Sequence, residues 1–207
     1  MAKEIKYQKH YLPLTRIELI NRLKEALKPA RFNHVLRVEQ TAIKLAKKYD
    51  VDLEAASVAG LCHDYAKQRP DEDFIAVIKA KKLSKELLDY GNAIWHGVVG
   101  AELVKDELGV QNEEILDAIR EHTTGAAYMT PLAQVLYMAD YIEPGRDFPG
   151  LEKARQFTET NLGLGVAFQT QATLTYLAEN GKPIYPKTLE TYNAWVPKYR
   201  KELKNNG

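Results

Sequence analysis

The chain of 207 residues has one cysteine, Cys62. An intrachain disulfide framework is excluded, and the scarcity fits a reducing compartment. Cys62 lies in an apolar stretch and reads as a small core side chain rather than a ligand or nucleophile. Long apolar runs are missing too, so no segment is expected to span a bilayer. Met1 to Leu12 is polar and lacks a signal-peptide core, which places the chain in the cytoplasm. Charge of one sign is also lacking. With 29 basic and 28 acidic residues the formal charge is +1, so nothing draws the chain in bulk to nucleic acid or a membrane surface. There is no glycine-rich nucleotide loop, no internal repeat, no low-complexity linker and no strand-like alternation. The twelve tyrosines are scattered and build no base-stacking sheet.

What is present is helical period. Thr15 and Glu18 form a capping box ahead of the stripe Ile17, Leu19, Ile20, Leu23 and Leu27, which Pro29 closes. A second amphipathic helix follows, with His34 near its start and Val38, Ala42 and Leu45 along its buried side. Asp52 is an N-cap for an apolar run from Leu53 to Tyr65, read as the central buried helix. Short helices follow Pro70 and Ser84. Asn92 to Leu108 reads as one helix stopped by Gly109. Asn112 caps a helix that ends at His122, and Thr130-Pro131 opens another that runs to Asp140 or Tyr141. Glu143 to Gly150 is the most loop-like segment. Helices over Leu151–Thr158, Leu162–Asn180 and Thr188–Tyr199 complete the chain. The expected fold class is all-α: an N-terminal arm over 1–13, one helical domain over 14–200, and a flexible tail over 201–207.

The chemistry concentrates in Leu61-Cys62-His63-Asp64-Tyr65. Buried imidazole and carboxylate must be paired or metal-bound. His63 and Asp64 are about 100° apart on a helix, so both reach one centre only if other helices bring further ligands into the crevice between them. His34, His96, His122 and Asp140 each fall in or beside a separate helix, the way a bundle assembles a site in its core. Imidazole and carboxylate suit first-row transition metals. Four histidines and two aspartates are generous for one ion. Taken one at a time, each histidine suits a hydrogen-bonded core or surface position better than a ligand, and spacing alone leaves both readings standing.

Longer strings carry more. Arg31-Phe32-Asn33-His34, Leu61-Cys62-His63-Asp64-Tyr65-Ala66-Lys67, Trp95-His96-Gly97, Arg120-Glu121-His122-Thr123-Thr124-Gly125 and Ala139-Asp140-Tyr141-Ile142-Glu143-Pro144-Gly145-Arg146, in that order, resemble the HD-domain metal phosphohydrolases, in particular their bacterial YqeK-like branch. The resemblance runs from roughly residue 14 to residue 195. It implies an HD-type helical bundle with a dinuclear centre. The ions are divalent or mixed-valence and commonly iron, although the donors also admit manganese, cobalt or nickel. It further implies symmetrical hydrolysis of diadenosine tetraphosphate to two ADP. On the matching positions, His34, His63, Asp64 and Asp140 hold one metal, and His96 and His122 hold the second with Asp64 bridging. A water or hydroxide between the ions would be the nucleophile.

Around those six, Lys67 is a candidate point charge for the polyphosphate, and Arg146 a candidate bidentate phosphate contact. Asp64, Lys67 and Arg146 form the expected catalytic set. Thr123, Thr124 and Arg69 join Lys67 and Arg146 as substrate contacts. Other readings are a mononucleotide phosphohydrolase or pyrophosphohydrolase, and a metal-containing nucleotide-binding module with little turnover. The expected partner is a small nucleotide, with no nucleic acid and no membrane, and a homodimer through exposed helix faces is compatible with the sequence.

Overall fold

A computed structural model of the chain describes residues 5–205. Residues 1–4 of the expected arm and 206–207 of the expected tail lie outside that range. The rest of the arm is non-helical but anchored. The backbone amides of Gln8 and Lys9 donate to the Glu54 carboxylate at 2.7 and 3.0 Å, and the Tyr7 and Ser57 hydroxyls meet at 2.9 Å. Glu54 is buried and can stay so because those amides satisfy it.

Helices fill the described residues, and no strand occurs among them. Helix α1 (Arg16–Ala26) opens on the Thr15/Glu18 capping box. Helix α2 (Pro29–Lys48) uses Pro29 in its first turn, so this proline starts one helix as well as following another. Helix α3 (Leu53–Cys62) is capped by Asp52 and gives way to turns at His63. Then come α4 (Asp71–Ala80), a 3-10 turn at Lys85–Asp89, α5 (Asn92–Val98), α6 (Gly100–Leu108), α7 (Glu113–Glu121) and α8 (Pro131–Ile142). Asn112 and Thr130 accept the capping bonds of α7 and α8. The C-terminal part is α9 (Leu151–Thr160), α10 (Leu162–Glu179), α11 (Pro186–Trp195), a 3-10 turn at Val196–Tyr199, and α12 (Arg200–Asn205).

Two expectations are corrected. The single helix from Asn92 to Leu108 is two, interrupted at Val99. Gly97 and Gly100 weaken helix propensity on either side of the break. Packing holds the break, since a Cβ on Gly100 would lie 3.3 Å from that of Ala66. The start of the tail, in turn, is helical as α12 rather than frayed.

The core forms where α2, α3, α7 and α8 pack on one another. Its fully buried side chains include Val38, Leu61, Ile119 and Leu136. Helix α10 lies on α8 and α9, and α5 on α6 and α7. Two glycines set the approach of the helices that matter for the site. A Cβ on Gly60 would stand 2.8 Å from the Glu39 Cα, so α3 crosses α2 at a distance only glycine permits. A Cβ on Gly97 would stand 3.3 Å from the carbonyl oxygens of Ile119 and Arg120, which brings α5 onto the end of α7. No helix among the described residues is long and apolar enough to cross a membrane.

Candidate metal centre

The six expected ligand positions come together. His34 is on the first turns of α2, His63 and Asp64 just past α3, His96 on α5, His122 at the end of α7 and Asp140 near the end of α8. His34, His63, Asp64, His96 and His122 are buried, and Asp140 is half-buried. Donor atoms of three sets, His34/His63/Asp64, His63/His122/Asp140 and Asp64/His96/His122, lie within 4.8 Å of one another.

Each of the four imidazoles has the same arrangement. Nδ1 of His63 donates to the Gly60 carbonyl at 2.8 Å, that of His96 to the Asn92 carbonyl at 2.6 Å, and that of His122 to the Ile119 carbonyl at 2.7 Å. Nδ1 of His34 donates to Glu143 Oε1 at 3.1 Å. These acceptors take the ring proton on Nδ1 and leave Nε2 as a bare lone pair aimed at the others. His96 Nε2 and His122 Nε2 are 3.1 Å apart, a spacing that two lone pairs tolerate only with something between or beside them to bind.

Asp64 occupies the middle. Its Oδ2 lies 3.5 Å from His34 Nε2 and 3.4 Å from His63 Nε2. Its Oδ1 lies 3.6 Å from His96 Nε2 and 3.9 Å from His122 Nε2. One carboxylate thus turns each oxygen to a different histidine pair. Asp140 closes the first side, with Oδ1 3.1 Å from His34 Nε2 and 3.9 Å from His63 Nε2.

The fit to a metal is visible in what stays unpaired. His34 Nε2, His63 Nε2 and Asp64 Oδ1 are buried without a hydrogen-bond partner. An orphaned buried polar atom costs about 1–3 kcal/mol, and three facing one another are explained by cations that they bind. Protonation favours the same conclusion. Burial drives His96 down to about 3 and His122 down to about 4, each pushed further by a neighbouring histidine, so both are neutral ligands at pH 7. Burial works against the charge of Asp64, but His63 beside it outweighs this and holds its carboxyl well below the usual range. Asp140 is held down in the same way by His34, His63 and Arg146.

A basic rim surrounds this set. Arg31 Nη1 donates to Asp64 Oδ2 at 2.6 Å. Arg146 grips Asp140, with its Nη2 on Oδ1 and its Nε on the backbone carbonyl at 3.0 Å. Lys67 Nζ sits over the His96 ring, 3.1 Å from Nδ1 and 3.2 Å from Nε2. Burial lowers its pKa, with Arg31 and Arg146 adding to the effect against the two aspartates. The Thr123 hydroxyl is 3.1 Å from both His96 Nε2 and His122 Nε2.

Two further expected substrate contacts have protein partners of their own. Arg69 is paired with Glu107 and Asp73 and lies over the Tyr65 ring. Its charge is taken up by those carboxylates. The Thr124 hydroxyl donates to the Gly125 carbonyl at 3.0 Å, which makes it a turn-forming group.

The sequence comparisons meet this geometry at the same residues. Residues 31–145, from Arg31 to Gly145, match the HD domain family. The chain belongs to the HD-domain family. It is 42% identical over 183 residues to the symmetrical bis(5'-nucleosyl)-tetraphosphatase of Bacillus subtilis, covering 88% of this chain and 98% of that protein. The protein of the same name from Halalkalibacterium halodurans is 39% identical over 180 residues, covering 87% and 96%. The crystal structure of a predicted HD superfamily hydrolase involved in NAD metabolism from Clostridium acetobutylicum superposes with a TM-score of 0.85 at 32% identity, covering 89% and 98%.

Sequence reasoning about this HD-domain chain missed Glu143. Placed in the loop-like segment, it is in fact 1% exposed. It accepts from Arg37 Nε and Nη2 at 2.6 and 3.0 Å, from the Gly145 amide, and from His34 Nδ1. Burial opposes its ionisation, yet Arg37, Gly145 and His34 pull its pKa down to about 2. The usable signal was an arginine one turn after a candidate ligand histidine, which requires a carboxylate partner if it is to lie against the bundle. Gln169 on α10 was also missed. It is 6% exposed, and its Oε1 has no partner.

Proposed function

We propose that this chain is a dinuclear metal hydrolase that cleaves diadenosine tetraphosphate symmetrically into two ADP. The observation that carries the reading is Asp64, whose two oxygens face separate histidine pairs, in a chain whose relatives are named for symmetrical tetraphosphatase activity. His34, His63, Asp64 and Asp140 would hold one ion. Asp64, His96 and His122 would hold the other. Iron is the proposed metal, and manganese, cobalt and nickel fit the same donors. When bound, such a pair supplies an acidified water and neutralises charge on the attacked phosphoryl group.

The remaining work falls to the chain's own side chains. Lys67 and Arg146 flank the centre on opposite sides, at His96 and at Asp140, and would clamp the polyphosphate. Lys67 is half-buried, and a poorly hydrated ammonium gains more from an anion than a hydrated one. Arg146 is held by Asp140 with one Nη unused, which leaves a planar donor for a phosphate oxygen. The Thr123 hydroxyl lies against the second histidine pair and can donate to an oxygen there. The leaving group is itself a phosphate, so charge neutralisation matters more than a strong general acid.

The test is to load the reduced protein with iron, supply diadenosine tetraphosphate and separate the products. Two ADP per substrate is expected. AMP plus ATP, or no turnover beside rapid cleavage of mononucleotides, overturns the proposal.

A further inference from the structure

Two clefts flank the metal centre, and one residue of α10 belongs to both. The larger, about 790 Å³, is bounded by Tyr141, Phe148, Lys153 and Ala172 and reaches Thr173. The smaller, about 330 Å³, is bounded by Tyr90, Ala93, Thr123 and Tyr185 and also reaches Thr173. Each holds an aromatic pair. Tyr141 and Phe148 have ring centroids 4.8 Å apart, and Tyr90 and Tyr185 4.9 Å. Each carries a lysine, Lys153 in one and Lys182 in the other.

The clefts meet the surroundings of the centre at different residues. Thr123 lines the smaller cleft, and its hydroxyl touches the His96 and His122 nitrogens. The larger cleft begins at Tyr141, next in sequence to Asp140, and continues to Phe148 in the loop that carries Arg146. Between the clefts, α10 presents Thr173 and, one turn earlier, Gln169. At about 100° per residue, Gln169 projects between Tyr176, which faces the larger cleft, and Thr173. Among the described residues, its Oε1 is the buried side-chain acceptor outside the metal cluster that lacks a partner.

We infer that the two clefts are paired nucleoside subsites, each taking one base of a dinucleoside polyphosphate, with the Gln169–Thr173 ridge and the metal centre beneath the phosphate chain. This deepens the proposed function and rests on it. Flat apolar bases suit aromatic walls, and a cleft at each end of Asp64 puts the middle of the phosphate chain over the centre. Equal division of the substrate then follows from where its two ends are held. A mononucleotide fills one cleft and leaves the other empty.

Binding tests this without turnover. The probes are ADP and diadenosine tetraphosphate with a methylene group in place of its central bridging oxygen, each titrated by calorimetry into the metal-loaded protein. Two linked bases engaging two subsites gain from effective concentration, so the analogue is expected to bind at least 100-fold tighter than ADP. Ala93→Trp fills the smaller cleft from an exposed position, and Ala172→Trp the larger from a half-buried one. Each is expected to bring the analogue to within about threefold of ADP, with metal content unchanged. Analogue and ADP binding alike in the parent protein overturns the inference, and so does either tryptophan leaving the analogue's affinity intact. Tight analogue binding with no hydrolysis of the parent compound would preserve the subsites and sink the hydrolase reading instead.

Discussion

Removing the Glu143 carboxylate probes how the first metal ligand is held. In Glu143→Ala the Nδ1–H of His34 and the amide of Gly145 lose their acceptor. The His34 donor is buried and worth about 1–3 kcal/mol when orphaned, whereas Gly145 is exposed and its amide can rehydrate. The Arg37 side chain is 36% exposed and can rehydrate, so its share is small. The expected loss of stability is about 1–3 kcal/mol in the metal-free protein, read by urea unfolding. His34 also loses the bond that fixes its tautomer. Bonds of this kind to a ligating histidine are worth roughly 10–100-fold in metal affinity, read by competition with a coloured chelator. Glu143→Gln keeps an acceptor for His34 and should recover most of the metal affinity while leaving Arg37 without its counter-charge. The pH dependence has a definite sign. Glu143 is depressed from an ordinary 4.5 to about 2. Its stabilisation is therefore present above pH about 4.5 and is lost as the pH falls toward 2, and the alanine variant should lack that part of the acid limb. Metal affinity within twofold of the parent in Glu143→Ala would refute the orienting role, whatever happened to stability.

Asp64→Ala should lose both metals and hydrolysis together, because its two oxygens face the two histidine pairs; elemental analysis showing full metal occupancy with full activity would remove the bridging assignment. Lys67→Met and Arg146→Met should each lower kcat/KM for the dinucleotide by roughly 10- to 1000-fold, the scale of losing one aimed charge, with metal content retained. A loss of metal alongside activity would make them structural instead. In chelator-treated protein, ring NMR signals of His96 and His122 should stay those of neutral imidazole from pH 7 down to pH 5, given values near 3 and 4. The His63 ring, raised mainly by Asp64 against the effect of burial, should still carry its proton above its ordinary 6.5. The reverse order would mean that burial and the Asp64 carboxylate do not set which imidazoles are neutral.

Much of the bundle was legible because its caps are local. The bonds of Thr15, Asp52, Asn112 and Thr130 are made within three residues, and a reader of the sequence can see both partners. The break at Val99 was not legible, since it depends on Gly100 meeting Ala66 across the fold. The six residues of the centre were found through the resemblance of ordered strings, whereas spacing alone left them open. Their geometry then supplied what no string contains: which oxygen of Asp64 faces which histidines. Glu143 was hidden because its partners, His34 and Arg37, are more than a hundred positions away. The partners of Arg69 were hidden for a related reason. Next to a phosphate-binding candidate it looked like another, until Glu107 of α6 supplied its counter-charge.

The spread of the proposed ligands along the chain has a mechanical meaning. Positions 34, 63, 64, 96, 122 and 140 lie on or beside α2, α3, α5, α7 and α8, and four of those five helices pack on one another in the core. Ions held by all six side chains would fasten five segments at one point. With one cysteine, the chain can make no such cross-link of its own. The centre would then serve as the staple of the bundle as well as its reactive point, lending stability that grows with free metal concentration. Starved of metal, such a protein would loosen first at its own active site.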